Sequence, residues 1–208
     1  MSAPELRIAC RIATSGFPSK EIDEWISLEG DIDDTVLPLL RDALQKTGSP
    51  RPIVLSSRGG DIESALQLGR FVRAQGLPVA IGRTVSSKCR TGVSACEATA
   101  SYDFQVGRID TATPRPLCTG VCLLALAGGV ERIVGNAPVR LDSLASLQRY
   151  PAGGKKKKKD QSDTVALLAS YLNEMGVDTA LLERMPAKPS ESVGLAPWRM
   201  KNLKLATK

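Results

Sequence analysis

The chain has 208 residues, the length of one domain, and 42% apolar residues; aromatics are only 4%, so aliphatic side chains must build most of its core. Its net charge of +6 is local: without the run Lys155 to Lys159, the 28 basic residues fall by 5 to 23 and face 22 acidic ones. That argues against nucleic-acid binding, which wants basic residues spread along a groove or helix, and the longest apolar run, Val121 to Val130, is too short to span a bilayer.

In chain order, Leu6, Ile8, Cys10 and Ile12 alternate with Arg7, Ala9 and Arg11, the pattern of a half-buried strand. Trp25 to Glu29 reads as a second strand. Asp33 or Asp34 caps a helix carrying Leu37, Leu40 and Leu44, with Pro38 in the first turn, where its missing N–H costs little. Ile53 to Leu55 is wholly apolar, as expected of a parallel strand covered on both faces. Ser56 to Asp61 then makes a tight turn with paired glycines, Gly59 and Gly60. A helix follows with Ile62, Ala65, Leu66, Gly69 and Val72 on one face, and Gly76 ends it. Leu77 to Ile81 returns as a strand, so the rhythm is that of a βαβ protein.

Residues 83–116 break the rhythm and read as an insertion, with a hairpin held by Cys89 and Cys96. Cys118 and Cys122 open a helix over Val121 to Ala127 that is apolar all round and therefore central. Val139 to Leu141 is a further strand, and residues 151–162 form a mobile lysine-rich loop. Val165, Leu168, Tyr171, Leu172 and Met175 mark a late helix capped by Gly176. Asp178 starts a short helix ended by Pro186, and Pro189 to Lys208 carries weak order signals.

Histidine is absent, which removes the commonest general base. Five cysteines, with six residues between Cys89 and Cys96 and three between Cys118 and Cys122, match no common zinc pattern, so no metal is expected. They suit oxidised pairing in an exported protein, although a cytoplasmic location stays open. Met1 to Ala13 interleaves Arg7 and Arg11 with apolar residues, unlike a signal peptide, and the chain could be a trimmed mature form.

The glycine turn at Gly59-Gly60 and the Cys118-x-x-x-Cys122 turn, with its helix ending in Gly128-Gly129 before Arg132, occur in an informative order. Together they resemble the Clp protease family and its exported, periplasmic relatives within the broader ClpP/crotonase fold. The resemblance covers roughly 25–143, then more faintly 171–185 and Leu203 to Thr207. It implies a single α/β domain over 1–208, built of repeated β-β-α units around the helix after Cys118, and a homo-oligomer. It also implies that Gly59 or Gly60 gives one backbone N–H to an oxyanion hole and Val121 the second, because backbone donors there stabilise a developing oxyanion. The exported relatives carry a nucleophilic serine at the centre of a Cys-x-Ser-x-Cys frame; here that slot is Gly120. The family's histidine falls on Asp142, within Val139 to Ser143, and the third triad residue has no placed counterpart.

The reading that follows is a serine-peptidase-fold protein that has lost hydrolysis and keeps a cleft for a peptide, a protein segment or another ligand, with no cofactor. One alternative is an active hydrolase using Thr119, or a thiol at Cys118 or Cys122; Thr119 reads more simply as a helix cap. Another is a crotonase-like acyl-thioester enzyme with Asp61, Glu63 or Asp142 as its acid. The lysine run could supply a serine–lysine dyad but reads as a solvated loop. Arg58 reads equally as a carboxylate clamp or a surface ion pair. Cys89, Cys96, Cys118 and Cys122 allow three disulfide connectivities that the sequence does not rank; Cys89 or Cys96 is expected near enough to pair with Cys118 or Cys122, leaving Cys10 over. The stripe Leu167, Leu168, Tyr171, Leu172 and Met175 suits a subunit interface or packing on the sheet about equally.

Overall fold

A computed structural model describes residues 5–10, 24–47, 52–85, 96–97, 99–101, 116–135, 137–147 and 161–208. Cys89, most of the expected insertion and the lysine run lie outside these residues.

The first strands, β1 (Glu5–Cys10) and β2 (Glu24–Glu29), pair antiparallel, Ile8 opposite Ile26. Helix α1 (Val36–Thr47) leads to β3 (Ile53–Ser56), and α2 (Ile62–Ala74) leads to β4 (Val79–Ile81). Asp33 starts α1: its carboxylate accepts the Thr35 N–H at 2.9 Å. Strands β2, β3 and β4 run parallel, and β3 and β4 are buried at every residue, which their unbroken apolar runs require.

Residues 83–116 contribute β5 (Arg83–Val85), β6 (Cys96–Glu97) and β7 (Thr99–Ser101). β5 and β7 pair antiparallel, while β6 joins the edge of the main sheet beside β1. Then come β8 (Cys118–Thr119), α3 (Cys122–Ala127), β9 (Arg132–Ile133) and β10 (Val139–Asp142). The chain closes with α4 (Leu144–Leu147), α5 (Gln161–Glu174), α6 (Ala180–Glu183), β11 (Ser192–Gly194) and α7 (Pro197–Asn202). The six-stranded sheet has the order β6-β1-β2-β3-β4-β9, and a smaller one the order β11-β10-β8. In β4–β8–α3 and in β9–β10–α4, the first strand joins the large sheet, the second joins the small one and a helix follows. This is the expected mixed α/β architecture of β-β-α units.

Helix α3 is buried at all six residues, at the centre of the core. It meets α2 at Gly69 and Gly128, where a Cβ on Gly128 would run into the Gly69 backbone. Tyr171 of α5 crosses both, its hydroxyl donating to the Leu124 carbonyl at 2.6 Å. Burial pushes that phenol well above the ordinary tyrosine value.

One open alternative is decided here and one expectation changes. The stripe on α5 is spent inside the chain: Leu168, Tyr171, Leu172 and Met175 are all buried and Leu167 half-buried, so it offers no free interface. The tail after Pro189 is built into the fold. Met200, Leu203 and Leu205 are buried, and the Thr207 N–H donates to the Arg132 carbonyl at 2.9 Å beside β9. Arg132 explains part of that closure. Its guanidinium is buried and donates to the carbonyls of Ala127, Gly129, Met175 and Lys204, tying α3, α5 and the tail together.

Candidate functional site

Two turns meet where β3 and β8 leave their sheets. The Ser57 N–H donates to the Leu117 carbonyl at 2.9 Å and the Thr119 N–H to the Ser57 carbonyl at 3.1 Å, so the two segments run in parallel and deliver their turns to the same end. On the first turn, the Ser57 hydroxyl accepts the Gly59 N–H at 3.1 Å and donates to the Gly59 carbonyl at 3.0 Å. Gly59 and Gly60 take φ values of 129° and 141°, which a side chain tolerates poorly. At Gly60 a Cβ would also strike the backbone of Ile32, whose carbonyl takes the Asp61 N–H at 2.8 Å. At Gly59 it would stand 3.5 Å from the Thr119 carbonyl, which puts the first turn in contact with the second.

The second turn is Thr119-Gly120-Val121. Gly120 is buried, has φ of 61° and donates its N–H to the Arg140 carbonyl at 3.1 Å. A Cβ there would lie 2.8 Å from Asp142 Oδ2 and 3.2 Å from Leu147 Cδ2. The sequence-predicted nucleophile and histidine slots are therefore neighbours in space, and the Asp142 carboxylate fills the room a side chain at Gly120 would take. Of the three expected oxyanion donors, the Gly59 N–H is held by Ser57. Those of Gly60 and Val121 have no hydrogen-bond partner among the described residues.

Asp142 is half-buried on β10 and is hydrogen-bonded to the Ser192 side chain. Burial pushes its carboxyl above the ordinary range, and the Ser192 contact and nearby Arg140 pull it part of the way back. The Arg140 guanidinium is turned onto Ser192, donating to its Oγ at 2.9 Å and to its carbonyl at 3.0 Å. Ser192 was not singled out from the sequence, because it lies in the tail, where no periodicity marked a strand.

The cysteine expectation is corrected. Cys118 bonds to Cys122, their Cα atoms 5.3 Å apart, so neither pairs with Cys89 or Cys96. The bridge straddles Gly120 and Val121, both its residues are fully buried, and neither sulfur remains a thiol. Cys96 lies on β6 and Cys10 on β1. Thr119 does not cap α3: it belongs to β8, and α3 has no side-chain cap. Asp61 is buried as the cap of α2, its carboxylate accepting the Ser64 N–H and hydroxyl at 2.8 Å each. Glu63 is exposed in the first turn of α2, and Arg58 is exposed beside the glycine turn. Among the described residues no cluster of His, Cys, Asp and Glu could hold a metal ion, and no helix is long and apolar enough to cross a membrane.

No protein-family model and no curated protein matches the chain. Among solved structures it is similar to ClpP1 from Listeria monocytogenes, at 11% identity and a TM-score of 0.48, with 86% of each chain covered. It is also similar to a peptidase from Plasmodium falciparum, at 9% identity and a TM-score of 0.48, covering 88% of this chain and 92% of that one.

Proposed function

We propose that this is a Clp-protease-like protein of the serine-peptidase fold that does not hydrolyse peptides and uses the remaining cleft to bind a peptide or another carbonyl-bearing ligand. The observation that carries the reading is the contact at Gly120, where a carboxylate stands 2.8 Å from the Cβ position of the nucleophile slot. A serine there would need a base to take its proton, and the chain contains no histidine. The Gly60 and Val121 N–H groups are backbone donors, so they survive the loss of the catalytic side chains and can still receive a carbonyl oxygen. The thiol form of an active hydrolase loses its support, since both candidate sulfurs are bonded to each other. Export and homo-oligomerisation remain part of the proposal; the buried disulfide suits an oxidising compartment.

Pure protein should leave fluorogenic peptides and casein at background. Turnover that survives purification and disappears in Thr119→Ala would overturn the reading. The constructive counterpart is Gly120→Ser combined with Asp142→His, which should gain reactivity toward a serine-directed phosphonate. A structure of that variant with the two side chains beyond hydrogen-bond reach would show that 142 is not the histidine slot.

A further inference from the structure

We infer that the outer side of β11 takes an extended acidic peptide segment of a partner protein, added to the small sheet as a fourth strand and anchored on Trp198. Strand β11 lies at one end of that sheet, with β10 between it and β8. The Leu195 N–H donates to the Val139 carbonyl at 2.9 Å, and Gly194 lies opposite Arg140. In an antiparallel pair, residues that bond to the neighbouring strand alternate with residues that do not. Val193 and Leu195 therefore turn their backbone groups to β10, while Ser192 and Gly194 turn theirs away. Arg140 Nη2 donates to the Ser192 carbonyl at 3.0 Å. The Ser192 and Gly194 N–H groups and the Gly194 carbonyl have no partner among the described residues. Nothing lies within 4 Å of the Cβ position at Gly194, so a further strand has room to approach.

The side chains supply the second observation. Val193 is 38% exposed, and Trp198, four residues after Gly194 at the start of α7, is 59% exposed, the most of any large apolar side chain among the described residues. An indole left in water suits a binding anchor better than a folding role. The charge around it has one sign. Glu191 is matched by Lys188 at 3.3 Å, and Asp142 is bonded to Ser192. Arg140, Arg199 and Lys201 form no ion pair among the described residues, and the Arg199 guanidinium lies 4.9 Å from the centre of the Trp198 ring. Three uncompensated cations would repel the same face of a second copy and attract a segment rich in Asp and Glu. Strand addition is the peptide-binding mode in which main-chain bonds give affinity and alternate side chains give selectivity. The inference is independent of the cleft, because β8 and its turn lie on the opposite side of β10.

The test titrates acetyl-Glu-Val-Glu-Val-Glu amide and its counterpart acetyl-Lys-Val-Lys-Val-Lys amide into the ¹⁵N-labelled full chain at pH 7. Trp25 is buried, so a change in indole emission reports on Trp198. The acidic peptide should bind at least about tenfold more tightly than the basic one, and added salt should weaken it. It should shift the emission to shorter wavelength and move the Ser192 and Gly194 amides. Gly194→Pro removes an outward N–H and leaves the inward bonds of Val193 and Leu195 in place, so affinity should fall about tenfold. Trp198→Ala changes an exposed side chain and should weaken binding about fivefold or more. Equal binding of the two peptides, no binding at millimolar concentration, or an affinity unchanged in either variant overturns the proposal. So does an emission shift that follows protein concentration alone, which would show a second copy on this face. Shifts confined to the Gly120 and Val121 amides would place the peptide in the cleft, supporting that reading and overturning this one.

Discussion

Gly120 and Asp142 behave as one unit, and their energetics can be separated. Gly120→Ala introduces a side chain at φ 61°, a conformation costing L-residues about 1–2 kcal/mol. It also brings a Cβ against a carboxylate that can swing aside. In a double-mutant cycle with Asp142→Ala, the backbone cost should persist and the contact cost should vanish, so urea midpoints should be non-additive. Asp142 has a pH signature as well. Burial raises its folded-state carboxyl above the unfolded value, so the folded protein holds this proton more tightly, and stability falls as pH rises through that window. Asp142→Asn removes the penalty. Its urea midpoint should exceed that of the unmodified protein at pH 7 and match it at pH 3; a lower midpoint at pH 7 would show that the Ser192 contact outweighs desolvation. That positions 120 and 142 approach each other was implied by the family resemblance, which carries the order of the motifs, and not by local spacing or periodicity. Ser192 was not legible in the sequence, since a hydrogen bond across β10 and β11 leaves no trace in local spacing.

At the scale of elements, α2 and α3 approach closely because Gly69 and Gly128 leave the room. Gly128→Ala would drive a Cβ into the Gly69 backbone, which can yield only by parting the helices, a cost of about 1–3 kcal/mol or more. Gly76→Ala is the control: φ is 65° and nothing lies within 4 Å, so about 1 kcal/mol of backbone strain is expected alone. Urea unfolding of the two variants should rank Gly128→Ala as clearly worse. The long helices were readable because 12 to 14 residues show a full apolar face. β8 and β9 have two residues each, too few for alternation to register, and their places come from partners far along the chain. The tail misled for a related reason: Met200, Leu203 and Leu205 fit no single period, because the chain passes through a positive φ at Lys204.

Across the whole molecule, the Cys118–Cys122 bridge ties a strand of the small sheet to the central helix. Its loop spans a sequence separation of only 4, so it restricts the unfolded chain less than a long-range bridge would. Both residues are buried, and thiol reagents should reach them only after unfolding and reduction together; labelling of either in the native, unreduced protein would contradict the pairing. The apolar stripe of α5 was visible in the sequence, but periodicity states only that a face is covered, not by what, and here the chain's own core covers it. The stitch between Thr207 and Arg132 has a different kind of consequence. β9 is the outermost parallel strand beside β4, and an open strand edge is a template on which other chains can assemble. The closing segment lies against that edge, its Thr207 hydroxyl accepting the Arg132 N–H at 2.8 Å. Deleting residues 203–208 should therefore unmask a growth point for aggregates, seen as rising light scattering on refolding, even under conditions where the shortened chain keeps native-like helix content.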